Sequence, residues 1–177
     1  MLITKYLPAY HFSELHSIEI EGIGNCIYEQ MLRSDISKSF LIRILFSLRG
    51  IPNGVRSIEN LTDLGFIKLD EVQGEEILFG MITESPTFNS CQSSFTSQQF
   101  LYDQGKSVIK AVINFKLQTQ DYTHHVLTTE TRVWCGSNEL KTKFQLYWYF
   151  IRPFSQLIRK SILKQIKLQV VTVNKLK

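Results

Sequence analysis

The sequence predicts an α+β fold in which one long C-terminal helix packs across the concave face of a curved antiparallel sheet. Apolar residues recur at helical spacing through residues 140–166, whereas residues 108–118 and 123–135 alternate with period two. Short helical segments are predicted nearer the N-terminus. Because helices and strands are not interleaved along the chain, a doubly wound parallel sheet is disfavoured.

The length and composition predict a single domain. The chain has 177 residues, of which 44% are hydrophobic, so it is long enough to bury a sizeable core and is not expected to be disordered. We predict one domain over residues 1–177, with its core at residues 10–167 and a loose tail at residues 168–177.

The N-terminal third predicts a strand followed by short helices. Residues 10–20 alternate between apolar and polar side chains and predict a strand that ends near Gly22. Asn25 then caps a helix whose apolar residues share one stripe. Two further short helices are predicted at residues 40–50 and 57–64.

The middle of the chain predicts two β-hairpins. Residues 66–72 and 75–83 form the first around Gly74, and residues 108–118 and 123–135 form the second. One face of the second hairpin is apolar and the other is polar. We therefore expect the polar face to meet water, as is usual for an antiparallel sheet.

The two remaining segments differ sharply in character. Residues 84–99 are polar, and Pro86 is incompatible with a central strand, so we predict a loop around a short irregular strand.

The long helix over residues 140–166 is capped by the Ser-Asn pair before it. Pro153 lies inside this helix, and we expect a kink there because proline removes a hydrogen-bond donor and clashes with the preceding turn.

The formal charge of +4 is unevenly distributed. Residues 152–177 carry seven cations, and no acid follows Glu139. Such a terminus can meet phosphates or an anionic membrane surface. The favoured interpretation is a solvated helix face whose late cations oppose the negative end of the helix dipole. Nucleic-acid binding is disfavoured, because the aromatic residues are not interleaved with the cations.

Cysteine usage and hydropathy predict a cytoplasmic protein. Cys26, Cys91 and Cys135 are far apart and include no C-x-x-C pair, so we expect free thiols rather than disulfides or a zinc site. The N-terminus has no signal-peptide pattern, and the apolar run at residues 40–48 is too short for stable membrane insertion. No Gly-rich phosphate loop is present, and no cofactor is predicted.

Several short segments carry a resemblance to a known superfamily. They are LIR at 41–43, LRG at 48–50, LGF at 64–66, TETRV at 129–133, FQLYW at 144–148, IRPFS at 151–155 and IR at 158–159. With this order of elements, the chain resembles the START-like or SRPBCC superfamily, and within it an uncharacterised bacterial branch. The resemblance covers residues 10–167 and is weakest at residues 87–104. It implies the helix-grip fold and a hollow interior, and it implies no catalytic set.

The predicted ligand site is the interior between the long helix and the sheet. Thr129 and Thr131 are the main indication, because a dry core seldom places two hydroxyls in a row on its inner face and buried hydroxyls need partners. The predicted cavity-lining residues are Ile113, Phe115, Thr129, Thr131, Val133, Phe144, Tyr147, Trp148, Ile151 and Phe154. No metal site is predicted.

Three further groups each have a functional and a structural interpretation. Glu130 and Arg132 share a strand face, and a charge ladder on the outer face is favoured over a ligand anchor. His16 shares a face with Ile20 and is either a proton-transfer group or a satisfied core histidine. Cys135 precedes the long helix and is favoured as an ordinary thiol over a reactive one.

The leading functional hypothesis is binding of a hydrophobic or amphipathic small molecule, lipid-like or polycyclic, in the internal cavity. This hypothesis makes the protein a binding module rather than an enzyme. The alternative is a cyclase- or aromatase-type enzyme that uses His16, Tyr147 or Glu130 for proton transfer. A third hypothesis is a structural or partner-binding domain with a filled core.

Overall fold

The computed structural model describes residues 1–35, 57–87 and 94–175, and it has an α+β architecture. Its elements in chain order are α1 (Leu2–Tyr6), β1 (Phe12–Glu21), α2 (Gly24–Arg33), a 3-10 helix (Glu59–Leu64), β2 (Ile67–Val72), β3 (Glu76–Thr83), α3 (Ser97–Tyr102), β4 (Ile109–Thr119), β5 (His124–Cys135) and α4 (Asn138–Lys175). The helix predicted at residues 40–50 lies outside the described residues.

The five strands form one antiparallel sheet in the order β1-β5-β4-β3-β2. The first strand of the chain therefore pairs with the last one and lies at an edge. Helix α4 packs on β1 and β5 and also contacts α2. The predicted arrangement of an antiparallel sheet with one long C-terminal helix packed on it is confirmed. Among the described helices, none combines the length and apolarity that a bilayer span requires.

Both predicted hairpins are present. Strands β2 and β3 join through a tight turn in which Gly74 has a φ of 82°, a left-handed conformation that glycine adopts without steric cost. Strands β4 and β5 pair along their whole length, so residues of equal parity share one face. That shared parity assigns each side chain of this hairpin to one of two sheet faces.

The sheet face turned away from α4 is buried over β3, most of β4 and the adjoining part of β5, which corrects the expectation that this face of the second hairpin meets water, whereas the β1 residues on the same face are exposed. Helix α1 packs on β3 and β4, and Phe100 of α3 fills the same layer. The resulting cluster joins side chains from five elements: Ile3, Tyr6, Leu7, Leu69, Leu78, Ile82, Phe95, Phe100 and Val112. The sequence predicts no helix at residues 2–6 and therefore offers no element to cover this face.

Polar side chains on this second face are buried because they pair with one another. Nε of Arg132 donates to Oε1 of Glu130 at 2.7 Å, and Nη1 of Arg132 donates to the Leu7 carbonyl at 3.3 Å. Nδ2 of Asn114 donates to Oε1 of Glu76 at 2.7 Å. Buried charges are tolerated when their hydrogen-bonding capacity is met, and here a compact network meets it.

Helix α3 replaces part of the loop predicted at residues 84–99. Oγ1 of Thr96 accepts from the backbone N–H of Gln99, and the Gln99 side chain accepts from the backbone N–H of Thr96. This reciprocal pair is a capping box, and its T-x-x-Q spacing is visible in the sequence. The high polar content of the segment predicts a loop, and for this reason the helix of six residues was not predicted.

Helix α4 is held at its two ends rather than along its length. It runs for 38 residues and passes through Pro153 without a break. Phe144 is buried near its start, and a second run of buried residues begins at Ile158. In the intervening stretch, residues 145–157, all described, no side chain is buried.

The C-terminal end of α4 corrects the prediction of a loose tail at residues 168–177. The helix continues to Lys175, and Val170 is buried in the main core cluster together with α2. The amide of Gln169 also donates to the Asp35 carbonyl at 3.1 Å and accepts from the Asp35 N–H at 3.2 Å. The sequence has no local stop signal at this end of the helix, and tertiary contact with the end of α2 stabilises the helix there.

The buried second face makes a direct prediction about stability. Phe100→Ala removes a fully buried ring and should lower the free energy of unfolding by about 3–5 kcal/mol. Tyr102→Ala on the same helix is the matched control, because Tyr102 is 81% exposed, and it should change stability by less than about 0.5 kcal/mol. Urea denaturation of both variants measures the difference, and equal effects would contradict the second core.

Candidate functional site

A polar band crosses the sheet face that lies under α4. Two cross-strand pairs of β1 and β5 form it, and apolar pairs flank it on both sides. Along the strands the register pairs are Phe12–Val133, Glu14–Thr131, His16–Thr129 and Ile18–Leu127. We use the term polar band for Glu14, His16, Thr129 and Thr131. It lies between two apolar clusters, one at each end of α4.

Glu14 is the most unusual member of the polar band. Its side chain is deeply buried, with 5% of the residue exposed. Its Oε1 lies 2.5 Å from Nε2 of His16, whereas its Oε2 has no hydrogen-bond partner within the described part of the chain. Directly across the strand pair, the hydroxyl of Thr131 is also buried and has no partner among the described residues. Each of these two side chains thus has a desolvated polar atom for which no group in the described part of the chain replaces water.

Burial of these polar atoms without hydrogen-bond partners lowers the stability of the folded protein. A buried polar group without a partner loses about 1–3 kcal/mol relative to a satisfied one, and more when the group is charged. Directly opposed residues in an antiparallel pair have Cβ atoms about 4.5–5.5 Å apart, so the side chains of Glu14 and Thr131 start from adjacent positions on the same sheet face. A group that pairs with an ionised carboxylate must donate a hydrogen bond to it, because such a carboxylate only accepts.

The other half of the polar band is connected to α4. Nη1 of Arg159 lies 3.4 Å from the hydroxyl of Thr129, and Nε of Arg159 lies 3.4 Å from Oγ of Ser155. The buried Thr129 hydroxyl therefore has a cationic donor above it. The band thus combines a carboxylate–imidazole pair on β1 with a contact to a guanidinium on the helix. It therefore involves both an acidic and a basic group.

Aromatic rings close the band at the end where α4 begins. The ring centroids of Phe12 and Phe144 are 5.0 Å apart, and those of Phe144 and Trp148 are 5.8 Å apart. Tyr147 packs on the same cluster, with its centroid 5.7 Å from that of Phe144. Such contacts contribute packing energy beyond burial alone and fix this end of the helix on the sheet.

A groove opens at the other end, between β1 and the C-terminal half of α4. It has a volume of about 580 Å³, and most of its lining is apolar. Its lining residues are His16, Ser17, Ile18, Lys160, Leu163, Lys164, Lys167, Leu168 and Val171. His16 belongs both to the groove and to the polar band. The groove therefore reaches His16, the hydrogen-bond partner of Glu14, from the protein surface.

The predicted cavity-lining residues are spread over three environments. Ile113 and Phe115 belong to the main core cluster, Val133 and Phe144 to the aromatic end, and Tyr147 and Trp148 pack against that end. Thr129 and Thr131 lie in the polar band, on the α4 side of the sheet. Ile151 is half-buried, and Phe154 is 41% exposed, so the inner stripe of α4 is interrupted in its middle.

Glu130 and Cys135, two candidates from the sequence, lie outside the band. Glu130 lies on the opposite sheet face and is held by Arg132, so it is not available for proton transfer under α4. The pair is buried rather than solvated, unlike the outer ladder that was expected. Cys135 is buried, and this desolvation raises the pKa of its thiol to about 11, so a reactive thiolate is not favoured there. His125 is buried and contacts the Gly22 carbonyl through Nε2 at 3.0 Å.

Sequence reasoning missed Glu14 and Arg159. Glu14 precedes His16 by two residues, so the same alternation that placed His16 on the inner face also places Glu14 there. Arg159 follows Ile158 on a helix that was described only by its apolar stripe. Within residues 1–35, 57–87 and 94–175, no group of three His, Cys, Asp or Glu side chains is arranged to hold a metal ion.

Comparison with known proteins gives little similarity. No protein-family model matches the chain, and no curated protein matches it. A solved structure described as a conserved protein from Geobacillus kaustophilus is similar to this chain at 11% identity and a TM-score of 0.39. The match covers 91% of this chain and 96% of that one.

The unpaired hydroxyl of Thr131 generates a stability prediction of unusual sign. Thr131→Val keeps the shape of the side chain and removes the unsatisfied group, so it should raise the free energy of unfolding by about 1 kcal/mol. Thr128→Val on the same strand is the control, because the Thr128 hydroxyl donates to the Lys116 carbonyl at 3.3 Å. The control should show no gain. A loss of stability in Thr131→Val would show that its hydroxyl is already satisfied.

Proposed function

We propose that the protein binds an amphipathic small molecule between α4 and the sheet, with a hydrogen-bond-donating group of the ligand on Glu14 and Thr131. The observation that carries this proposal is that Glu14 and Thr131, directly opposed across β1 and β5, each have a buried oxygen atom with no partner in the described part of the chain. A ligand hydroxyl fits the pair, because it donates to the carboxylate and accepts from the threonine. The START-like assignment and its hollow interior belong to the same proposal.

The apolar part of the ligand is assigned to the groove beside His16. Its volume of about 580 Å³ falls within the range of ordinary small-molecule sites. Ile18, Leu163 and Val171 supply apolar surface, whose burial contributes about 25 cal/mol per Å² before ordering costs. Lys160 and Lys167 lie at the same groove, so an anionic group at the outer end of the ligand is favoured.

The cellular compartment is part of this proposal. Cys26 and Cys135 are free thiols, as expected in a reducing environment. We assign the protein to the cytoplasm on this ground.

The proposal predicts ligand discrimination that depends on one hydroxyl group. A hydroxylated fatty acid should displace a fluorescent fatty-acid probe about tenfold better than the unsubstituted acid of the same length, because only the hydroxylated acid satisfies Glu14. Thr131→Val should reduce this preference several-fold, and Glu14→Gln should reduce it further. Probe displacement, with native mass spectrometry of the purified protein, measures both.

Thr128→Val is again the matched control, because Thr128 lies on the other sheet face, and the preference should be retained. If neither acid displaces any apolar probe and no small molecule co-purifies, the binding function is wrong. If both acids bind equally well, the groove is used but the polar band is not the recognition element.

An acid–base enzyme is a second candidate that one observation favours. The 2.5 Å contact of Glu14 with His16 is the arrangement in which a carboxylate orients an imidazole for proton transfer. Mass spectrometry separates the two functions. A binding module returns a captured ligand unchanged after incubation, whereas an enzyme returns a product of different mass and loses this conversion in His16→Gln.

A further inference from the structure

The outer side of α4 carries a second apolar stripe that nothing in the described structure covers. Tyr149 is 78% exposed and Phe150 is 71% exposed. The stripe extends along the helix through further exposed apolar residues. They are Leu146, Phe154 and Leu157. We call this set, with Tyr149 and Phe150, the outer stripe.

Helical spacing places the outer stripe opposite the residues that grip the sheet. Leu146, Phe150 and Leu157 recur at intervals of four and seven, which keeps them on one side of the helix. The buried residues Phe144 and Ile162 lie on the other side. Exposed large apolar residues are unremarkable singly, but a continuous patch of this kind marks an interaction surface.

The charges along α4 indicate what the surface meets. No acid follows Glu139 in the sequence, and Arg152, Lys160 and Lys164 are exposed. Within the described part of the chain, none of these three cations is paired with a carboxylate. A second copy of the helix would bring like charges together, whereas an anionic surface attracts them.

We infer that α4 docks on an anionic lipid bilayer, with the outer stripe in the headgroup region and its flanking cations on lipid phosphates and carboxylates. Exposed aromatic residues on one helix face, accompanied by basic residues, are the features by which amphipathic helices lie in a membrane interface. Tyrosine suits this depth, because its ring is apolar and its hydroxyl stays hydrated. The helix lies along the surface and does not span it.

Vesicle co-sedimentation tests this inference without reference to any internal ligand. The full-length protein should bind vesicles of 30% phosphatidylserine in phosphatidylcholine at least tenfold more strongly than pure phosphatidylcholine vesicles. Raising the salt to 0.5 M should remove most of this preference, because screening weakens the attraction of exposed charges. The double variant Tyr149→Ser with Phe150→Ser should lose at least tenfold in binding to the anionic vesicles.

The matched control replaces two equally exposed tyrosines elsewhere on the surface. Tyr102 is 81% exposed and Tyr122 is 84% exposed, so Tyr102→Ser with Tyr122→Ser removes comparable aromatic area. This control should bind the vesicles as the original protein does. Thermal melting of both double variants should be unchanged, since all four side chains are exposed.

Two results would overturn the inference. Equal vesicle binding by the two double variants would show that the outer stripe is not the contact. If vesicles are not bound and sedimentation equilibrium shows a dimer that only the Tyr149/Phe150 variant dissociates, the stripe is an interface between two copies of the chain. Neither result bears on the internal site, because Tyr149 and Phe150 do not line the groove.

Discussion

The pairing of β1 with β5 is the constraint on which the rest of this structure depends. It joins the first strand of the chain to the last, and it does so in a register that sets Glu14 beside Thr131 and His16 beside Thr129. The same two strands are the floor on which α4 rests. A shift of one residue would turn every side chain of β1 to the other face and would remove the polar band altogether. The apolar pairs on both sides of the band hold the register, because any shift would expose them.

The two faces of the sheet use polar side chains in opposite ways. On the face covered by α1 and α3, Glu130, Arg132 and Asn114 are buried in a network of mutual hydrogen bonds, so their presence costs little. On the face covered by α4, Glu14 and Thr131 are also buried, and each keeps an atom that nothing within the described residues satisfies. Proteins retain such unsatisfied groups mainly where binding or catalysis uses them, because stability alone would remove them. This contrast is the reason for proposing that the functional site lies under α4.

Helix α4 links the two proposals. It is anchored at an aromatic end and at an apolar C-terminal end, and its middle contributes no buried side chain. The polar band lies beneath the helix, and the outer stripe lies on the opposite side of it. A helix packed on only part of its length is an element that can move at low cost, since few contacts must be broken. An amphipathic ligand that enters beside His16 would come from the surface on which the outer stripe is proposed to lie.

Local periodicity was enough to predict the α+β class, both hairpins, the long helix and the parity that puts Thr129 and Thr131 under it. Extending the same alternation by one step would have placed Glu14 there as well. Burial of most of the second sheet face depends on tertiary contacts, since its cover comes from α1 and α3, which are short and distant in sequence. Likewise, the contact of Gln169 with Asp35 extends α4 beyond its predicted end. Which polar atoms find hydrogen-bond partners depends on how distant strands pair. The sequence therefore does not predict that Oε2 of Glu14 has no partner among the described residues.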